Sequence, residues 1–304
     1  MTNPDVLVEE ALPPEQIRGR SLWEDARRRL MRNPAAVASL YVVAILALIA
    51  AFGPALWVHP YDELFRDRVA IAPTFENMHL LGTDTEGRDM VARLIFGLRI
   101  SLLVGLAATL VALTIGVAWG AVAGFFGGAV DNLMMRIVDV LYAIPFIFFV
   151  IVLMTVVQFD NPVANLMLIF MAIGAVEWLT MARIVRGQTI ALRSKEFVEA
   201  ARASGARPLE IVFRHVVPNV LGPVVVFATL NIPVIILAES FLSFIGLGVQ
   251  EPLTSLGRLI SDGSRQMINA PWMLISPAAT MLITLLALNF LGDGLRDALD
   301  PKER

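Results

Sequence analysis

Long runs of this 304-residue sequence contain no Asp, Glu, Lys or Arg. Residues 33–61, 100–130, 140–159, 215–238 and 266–292 form charge-free runs of 29, 31, 20, 24 and 27 residues. A sixth run, 161–176, has 16 residues and extends to Ala182 if Glu177 is allowed. A helix needs about 20 apolar residues to cross the hydrocarbon core, where backbone groups must bond within their own segment. The pattern therefore predicts an all-α integral membrane protein with six transmembrane helices at 35–58, 99–123, 134–158, 162–183, 217–245 and 272–293. The composition agrees, with 57% apolar and 17% charged residues, where soluble domains average about 45–50% and 25%. A net charge of −3 argues against a nucleic-acid partner, and the absence of cysteine excludes a disulfide framework, a thiolate metal site and a cysteine nucleophile.

The first run follows Arg27, Arg28, Arg29 and Arg32, as a signal peptide would, but it is far longer than the roughly 7–15 residues of a cleavable core. It is expected to be an uncleaved anchor. Alternating segments between the spans carry 17 Lys and Arg on one side and 6 on the other. That imbalance puts both termini in the cytoplasm. Residues 1–34 then form a cytoplasmic tail, with a surface helix near its Arg-rich end, and residues 294–304 form a second tail. Residues 59–98 and 246–271 form external loops, and Arg88 to Ile100 is expected to lead into the second span as an amphipathic helix. Neither loop is large enough to be a separate domain.

Within the spans, Ala108, Ala112, Gly116, Gly120 and Gly124 recur every four residues and form a smooth helical stripe suited to close helix approach. The stripe serves either a pore or subunit interface or packing inside the bundle. Pro145, Pro223 and Pro233 interrupt the helical hydrogen-bond ladder. Asp139, Glu177, Glu239 and Asp293 fall near predicted span ends and are expected to be structural or interfacial, since an acid deep in lipid is costly.

The segment from Arg193 to Asn219, RSKEFVEAARASGARPLEIVFRHVVPN, is too charged to cross a bilayer. Ser194 is the expected helix cap, and Phe197, Ala200 and Ala201 make one short apolar face. Gly205 suits a left-handed helix end, and Pro208 suits the first turn of a second helix. Leu209, Val212, Phe213 and Val216 repeat the apolar spacing, and Pro218 is expected to end the segment at the mouth of the fifth span. A rigid amphipathic plug of this kind should fit a groove on another protein.

Glu199-Ala200-Ala201, Gly205 and Ile211, placed before the fifth of six spans, resemble the EAA motif of importer-type ABC transporter permeases. Leu81-Gly82-Thr83-Asp84-Thr85-Glu86-Gly87-Arg88-Asp89 followed by Arg93, Gly97, Arg99 and Ser101 narrows the resemblance. So do Gly124-Phe125-Phe126-Gly127-Gly128, Met135-Arg136-Ile137-Val138-Asp139 and Leu242-Ser243-Phe244-Ile245-Gly246-Leu247-Gly248. Together they are similar to the C-type permease subunit of dipeptide and oligopeptide importers, over about residues 25–300. One departure is Ser255-Leu256-Gly257, where that family commonly has Ser-Trp-Gly.

The resemblance implies a type I importer fold with a cytoplasmic coupling segment at 193–216, whose ATPase-coupling residues are Glu199, Ala200, Ala201, Ser204, Gly205, Ile211 and Pro218. It implies a homologous B-type permease, two ATPase subunits or domains holding ATP and Mg, an external substrate-binding protein, and a place in the bacterial inner membrane. Relatives import peptides, nickel chelates, glutathione or antimicrobial peptides. No cofactor is expected on this chain: its two lysines, Lys195 and Lys302, follow Ser194 and Pro301, so neither belongs to a phosphate-binding loop. With only His59, His79 and His215, no metal pair or histidine-based catalytic system is apparent. The competing reading is a secondary transporter acting without ATPases, which would leave the plug without a role.

Overall fold

The computed structural model describes residues 22–157 and 159–299. Expectations for residues 1–21 and 300–304 lie outside the described residues. In chain order the helices are α1 (Leu22–Leu30), α2 (Pro34–Leu56), α3 (Met90–Phe126), α4 (Gly128–Tyr142), α5 (Phe146–Val156), α6 (Pro162–Leu192), α7 (Glu196–Ala203), α8 (Pro208–Ile211), α9 (Val217–Phe244), α10 (Leu256–Arg265) and α11 (Trp272–Leu299). Helices α2, α3, α6 and α11, together with the rod Pro208–Phe244, are long and apolar enough to cross a membrane. The pair α4 and α5 makes a sixth span if taken together.

Several helix ends are set by side chains that satisfy the free N–H groups of the first turn. Asn33 Oδ1 accepts from Ala35 N and Ala36 N at 3.1 and 3.2 Å, and Asn161 Oδ1 accepts from Val163 N at 2.8 Å. Each Asn is followed by a proline at the first helical position, where a missing N–H costs nothing. Asp89 caps α3 in the same way, accepting from Ala92 N at 2.8 Å. Helix α3 therefore starts at Met90: the expected lead-in helix from Arg88 and the second span are one continuous helix, whose 37 residues span about 55 Å at 1.5 Å each, well beyond the hydrocarbon core. Its first turns stand outside the apolar layer. The third span is not straight: α4 and α5 meet at 75°. The break lies at Ala143–Pro145, where proline removes a ladder donor and disfavours helical backbone at Ile144.

The small-residue stripe lies inside the bundle, against α6. A β carbon on Gly116 would come within 2.6 Å of the Met181 β carbon, and one on Gly124 within 2.7 Å of the Arg186 carbonyl oxygen. One on Gly120 would run into the Ala182 carbonyl. Helix α3 packs more extensively against α6 than any other described pair does, and the stripe is what permits the approach. The bundle has two distinct ends. One carries α7 and α8; the other carries α10 with the long segments 57–89 and 245–255.

Candidate functional site

At the α7 end the buried and exposed apolar faces differ from the sequence expectation. Val198, Ile211, Val212, Val216 and Val220 are buried against Ala121 and Phe125 of α3 and Met181 and Val185 of α6, with Ala201 and Ala206 partly buried beside them. Phe197 and Ala200 instead face outward, as do Leu209 and Phe213, which are 54% and 51% exposed. An eight-residue helix has too few turns for its periodicity to decide which face turns inward. Val198, between the predicted positions, takes the core site. Ser204 and Glu199 are exposed. The helix N-cap is Lys195, with no side-chain bond, rather than Ser194.

The turn after α7 is fully hydrogen-bonded. Ala206 N donates to Ala201 O at 3.2 Å, Gly205 N to Arg202 O at 3.0 Å, and Ser204 N to Ala200 O at 3.0 Å. This double closure needs a left-handed residue, and Gly205 has φ +81°. The Ser204 hydroxyl also donates to Ala200 O at 2.9 Å, and the Arg202 guanidinium lies 5.2 Å from the centre of the Phe125 ring. Pro218 does not end the segment. The backbone widens into a π turn over Val212–Val216 and passes through Pro218 into α9, giving one continuous rod, Pro208–Phe244. The wider turn accommodates a proline ring that would collide with the carbonyl four residues earlier in a regular helix.

The α10 end is held by buried charge. Asp84 accepts from Arg88 Nε at 2.8 Å, from Arg93 Nη1 at 3.0 Å, and from the backbone N–H groups of Glu86 and Arg88, both at 2.8 Å. Arg88 also reaches Glu251 Oε1 at 3.1 Å, joining the two long segments. Burial opposes ionisation of Glu251, but its hydrogen bond to Arg88 and the charges of Arg88, Arg93 and Arg258 outweigh it and hold the carboxyl below the ordinary glutamate range. Nearby, the ligating atoms of His59, His79 and Asp89 gather within 4.8 Å. They are engaged as the cap of α3: His79 Nδ1 pairs with Asp89 Oδ2 at 2.9 Å, His59 Nε2 with Asn77 O at 2.7 Å, and Trp57 Nε1 donates to Asp89 Oδ1 at 2.9 Å.

Of the acids expected near span ends, Glu239 lies there, five residues before the end of α9, whereas Glu177 does not. Glu239 is fully buried. Its carboxylate accepts from Ser243 Oγ at 2.6 Å and Ser101 Oγ at 3.4 Å. Those hydroxyls accept in turn from Val249 N and Leu256 N. One carboxylate thus ties α3, α9 and the start of α10 together. Glu177 lies midway along α6 and accepts from Asn231 Nδ2 of α9 at 2.7 Å. The predicted end at residue 183 misplaced it because α6 continues to Leu192. The arginines that extend α6 are paired: Arg183 with Asp139 at 2.8 Å, and Arg186 with both oxygens of Asp131 at 2.6 and 2.7 Å.

A bundle of apolar spans with a rigid, partly apolar projection on one end and charge-pinned segments on the other defines a membrane permease of the ABC importer kind. The model of the binding-protein-dependent transport system inner membrane component matches residues 116–304, and that of the N-terminal transmembrane domain of oligopeptide transport permease C matches residues 21–73. The chain belongs to this family of transport-system inner-membrane components. It is 53% identical over 289 residues to the oligopeptide transport system permease protein OppC of Escherichia coli K12, covering 95% of this chain and 94% of that one. The OppC of Haemophilus influenzae is 51% identical over 95% of this chain and 91% of its own length. The dipeptide permease DppC of Bacillus subtilis is 41% identical over 93% and 87%. Among solved structures, an inward-facing form of the MetNI methionine ABC transporter shares the fold, with a TM-score of 0.55 at 19% identity, covering 68% of this chain and 96% of that one.

Proposed function

We propose that this chain is the C-type permease of an ATP-driven importer of dipeptides and oligopeptides in the bacterial inner membrane, with both termini cytoplasmic. It pairs with a homologous B-type permease. Two ATPase subunits or domains, which hold ATP and Mg, dock at the α7 end, and an external substrate-binding protein delivers cargo at the α10 end. The chain itself catalyses no reaction and carries no cofactor. The peptide cargo rests on the identity to peptide permeases across nearly the whole chain.

The observation that carries the coupling role is mechanical. Phe197, Leu209 and Phe213 offer exposed apolar surface on a projection whose other face is core, which suits recognition by a groove. The rod that begins at Pro208 runs 37 residues to Phe244 without a break, about 55 Å of helix. A displacement imposed on α7 by closing ATPases therefore reaches the α10 end through one helix, a rigid-body switch between inward- and outward-open states. Glu199→Lys reverses the charge on the exposed docking face, and Gly205→Pro denies the turn its positive φ and its N–H. Each variant is expected to insert and assemble yet lose ATP-driven uptake in vesicles. Normal uptake by both inserted variants would remove the coupling assignment.

A further inference from the structure

Arg99 lies on the outward face of α3. Its neighbours Leu98 and Ile100 are buried, whereas Arg99 is exposed and heads a line of exposed leucines, Leu103, Leu106 and Leu110. Those four positions share one helical stripe. The antiparallel packing of α2 on α3 gives its depth. A β carbon on Gly53 would come within 2.6 Å of the Ile95 side chain, so the two residues are level. Gly53 lies three residues before the end of α2, and Arg99 four residues beyond Ile95. The Arg99 backbone is therefore about 10 Å below that helix end. The 23 residues of α2 extend about 34 Å, little more than a hydrocarbon core of about 30 Å, so Arg99 is rooted just inside the apolar layer. No ion pair or hydrogen bond among the described residues satisfies its guanidinium, and an unpartnered cation at that depth is costly.

Arg99 nevertheless lines a cavity of about 350 Å³ together with Trp57, Tyr61, Asp62 and Phe96. Trp57, Tyr61 and Asp62 follow the last residue of α2, so the guanidinium reaches up toward the interface, as a long cation rooted in lipid does. The wall is aromatic: the Tyr61 ring stacks on Phe96 with centres 3.8 Å apart. Tryptophan and tyrosine favour the head-group level of a bilayer. His59, also in the wall, is engaged by Asn77 O. Two charges remain, Arg99 and Asp62. Both are exposed and line the same cavity, yet no ion pair joins them. The cation is on the deeper side and the anion on the outer side. A zwitterion whose inner charge is negative and whose outer charge is positive complements that order.

We propose that this cavity binds one phospholipid of the leaflet at the α10 end, with its phosphate on Arg99, a terminal ammonium toward Asp62 and an acyl chain along Leu103, Leu106 and Leu110. The order of charges carries the assignment. In such a lipid the phosphate adjoins the acyl chains and the ammonium lies beyond it. A guanidinium matches phosphate with two parallel hydrogen bonds, and a primary ammonium donates to a carboxylate. A head group that ends in hydroxyls instead offers Asp62 no cation.

The test uses the full-length chain, purified with its native partners in mild detergent and stripped of lipid. It is titrated with phosphatidylethanolamine or phosphatidylglycerol carrying a photoreactive acyl chain, and the cross-linked residues are mapped by mass spectrometry. In wild type the ethanolamine probe should label residues 103–110 at lower concentration than the glycerol probe. Arg99→Gln should raise the half-saturating concentration about tenfold, the effect of losing one charge-assisted hydrogen bond. Its thermal unfolding without lipid should match wild type, because the guanidinium has no partner within the chain. Asp62→Asn should keep the labelling but make the two probes equal. Labelling that is the same in wild type and Arg99→Gln would overturn the site, and a preference that survives Asp62→Asn would overturn the head-group assignment. No labelling of residues 103–110 in the assembled complex would overturn the proposal by giving this face to a protein neighbour.

Discussion

The two ends of the bundle are stabilised by opposite means. At the α10 end, long irregular segments are fixed by charges and hydroxyls with almost no exposure: Asp84 at 4%, Arg93 at 1%, Glu239 at 0%. At the α7 end, short helices are fixed by aliphatic packing, and their polar groups face outward. Buried charge networks are directional and demand one geometry, because a misplaced partner leaves an unpaired group in a low-dielectric site. Aliphatic packing holds a projection firmly while leaving its outer face open to another surface. The α10 end pairs most of its buried charge within this chain, whereas the α7 end turns Phe197, Leu209 and Phe213 outward from an aliphatic core.

The sharpest way to break that contrast is to remove the centre of the charge network. Asp84→Ala leaves Arg88 and Arg93 without their shared carboxylate and frees two backbone donors, so it should lower stability by about 3–5 kcal/mol. Thermal unfolding of the subunit in mild detergent measures this, and a loss below about 1 kcal/mol, the range of exposed ion pairs, would show that the network is not what fixes the α10 end. The next largest effect belongs to Glu239→Leu, which strands the Ser101 and Ser243 hydroxyls and should cost about 1–3 kcal/mol. Glu239→Gln keeps an acceptor and should cost clearly less. Equal losses for the two variants would mean that volume, not hydrogen bonding, matters at that position.

The contrast also marks what was readable in the sequence. Charge-free runs disclose apolar spans directly, because lipid tolerates so few alternatives. The helical lead-in from Arg88 was expected, but its burial was hidden for the complementary reason. Arg88 and Arg93 look like loop charges until Glu251, 163 residues away from Arg88, and Asp84 are brought beside them. Tertiary pairing, which no local window contains, converts them into buried groups. Glu177 was misplaced because Arg183 and Arg186 look like the end of a span, while their partners Asp139 and Asp131 on α4 allow the helix to continue. On α7, spacing identified an amphipathic helix but not its inward face. The coupling turn was more legible, since Gly205 at a left-handed position is a local requirement of the backbone.

A smaller effect tests the link between the two long segments. The Glu251 carboxyl is held below its ordinary value of 4.5, so its contribution is complete above that value and lost as pH falls through the depressed folded-state value. Its side chain is 38% exposed, which limits the effect to less than about 1 kcal/mol after screening. Glu251→Gln should therefore be slightly less stable than wild type near neutral pH, with the difference closing below about pH 4.5. A gap that persists unchanged in acid would assign the contribution to packing rather than to the Arg88 pair.

The smallest effect on stability should accompany a large effect on transport. Phe213 is 51% exposed while its neighbour Val212 is fully buried. Removing an exposed ring that contributes little to the core should shift unfolding by no more than about 0.5 kcal/mol. If the ring instead fills a groove on an ATPase, Phe213→Ala should weaken retention of that partner in detergent and slow ATP-driven uptake, with the isolated subunit unaltered. Val212→Ala should do the reverse, lowering the stability of the subunit first and its coupling only as a consequence. Should Phe213→Ala destabilise the subunit as much as Val212→Ala does, the outer face of the projection would belong to this chain's own packing, and the two ends of the bundle would no longer differ in the way described.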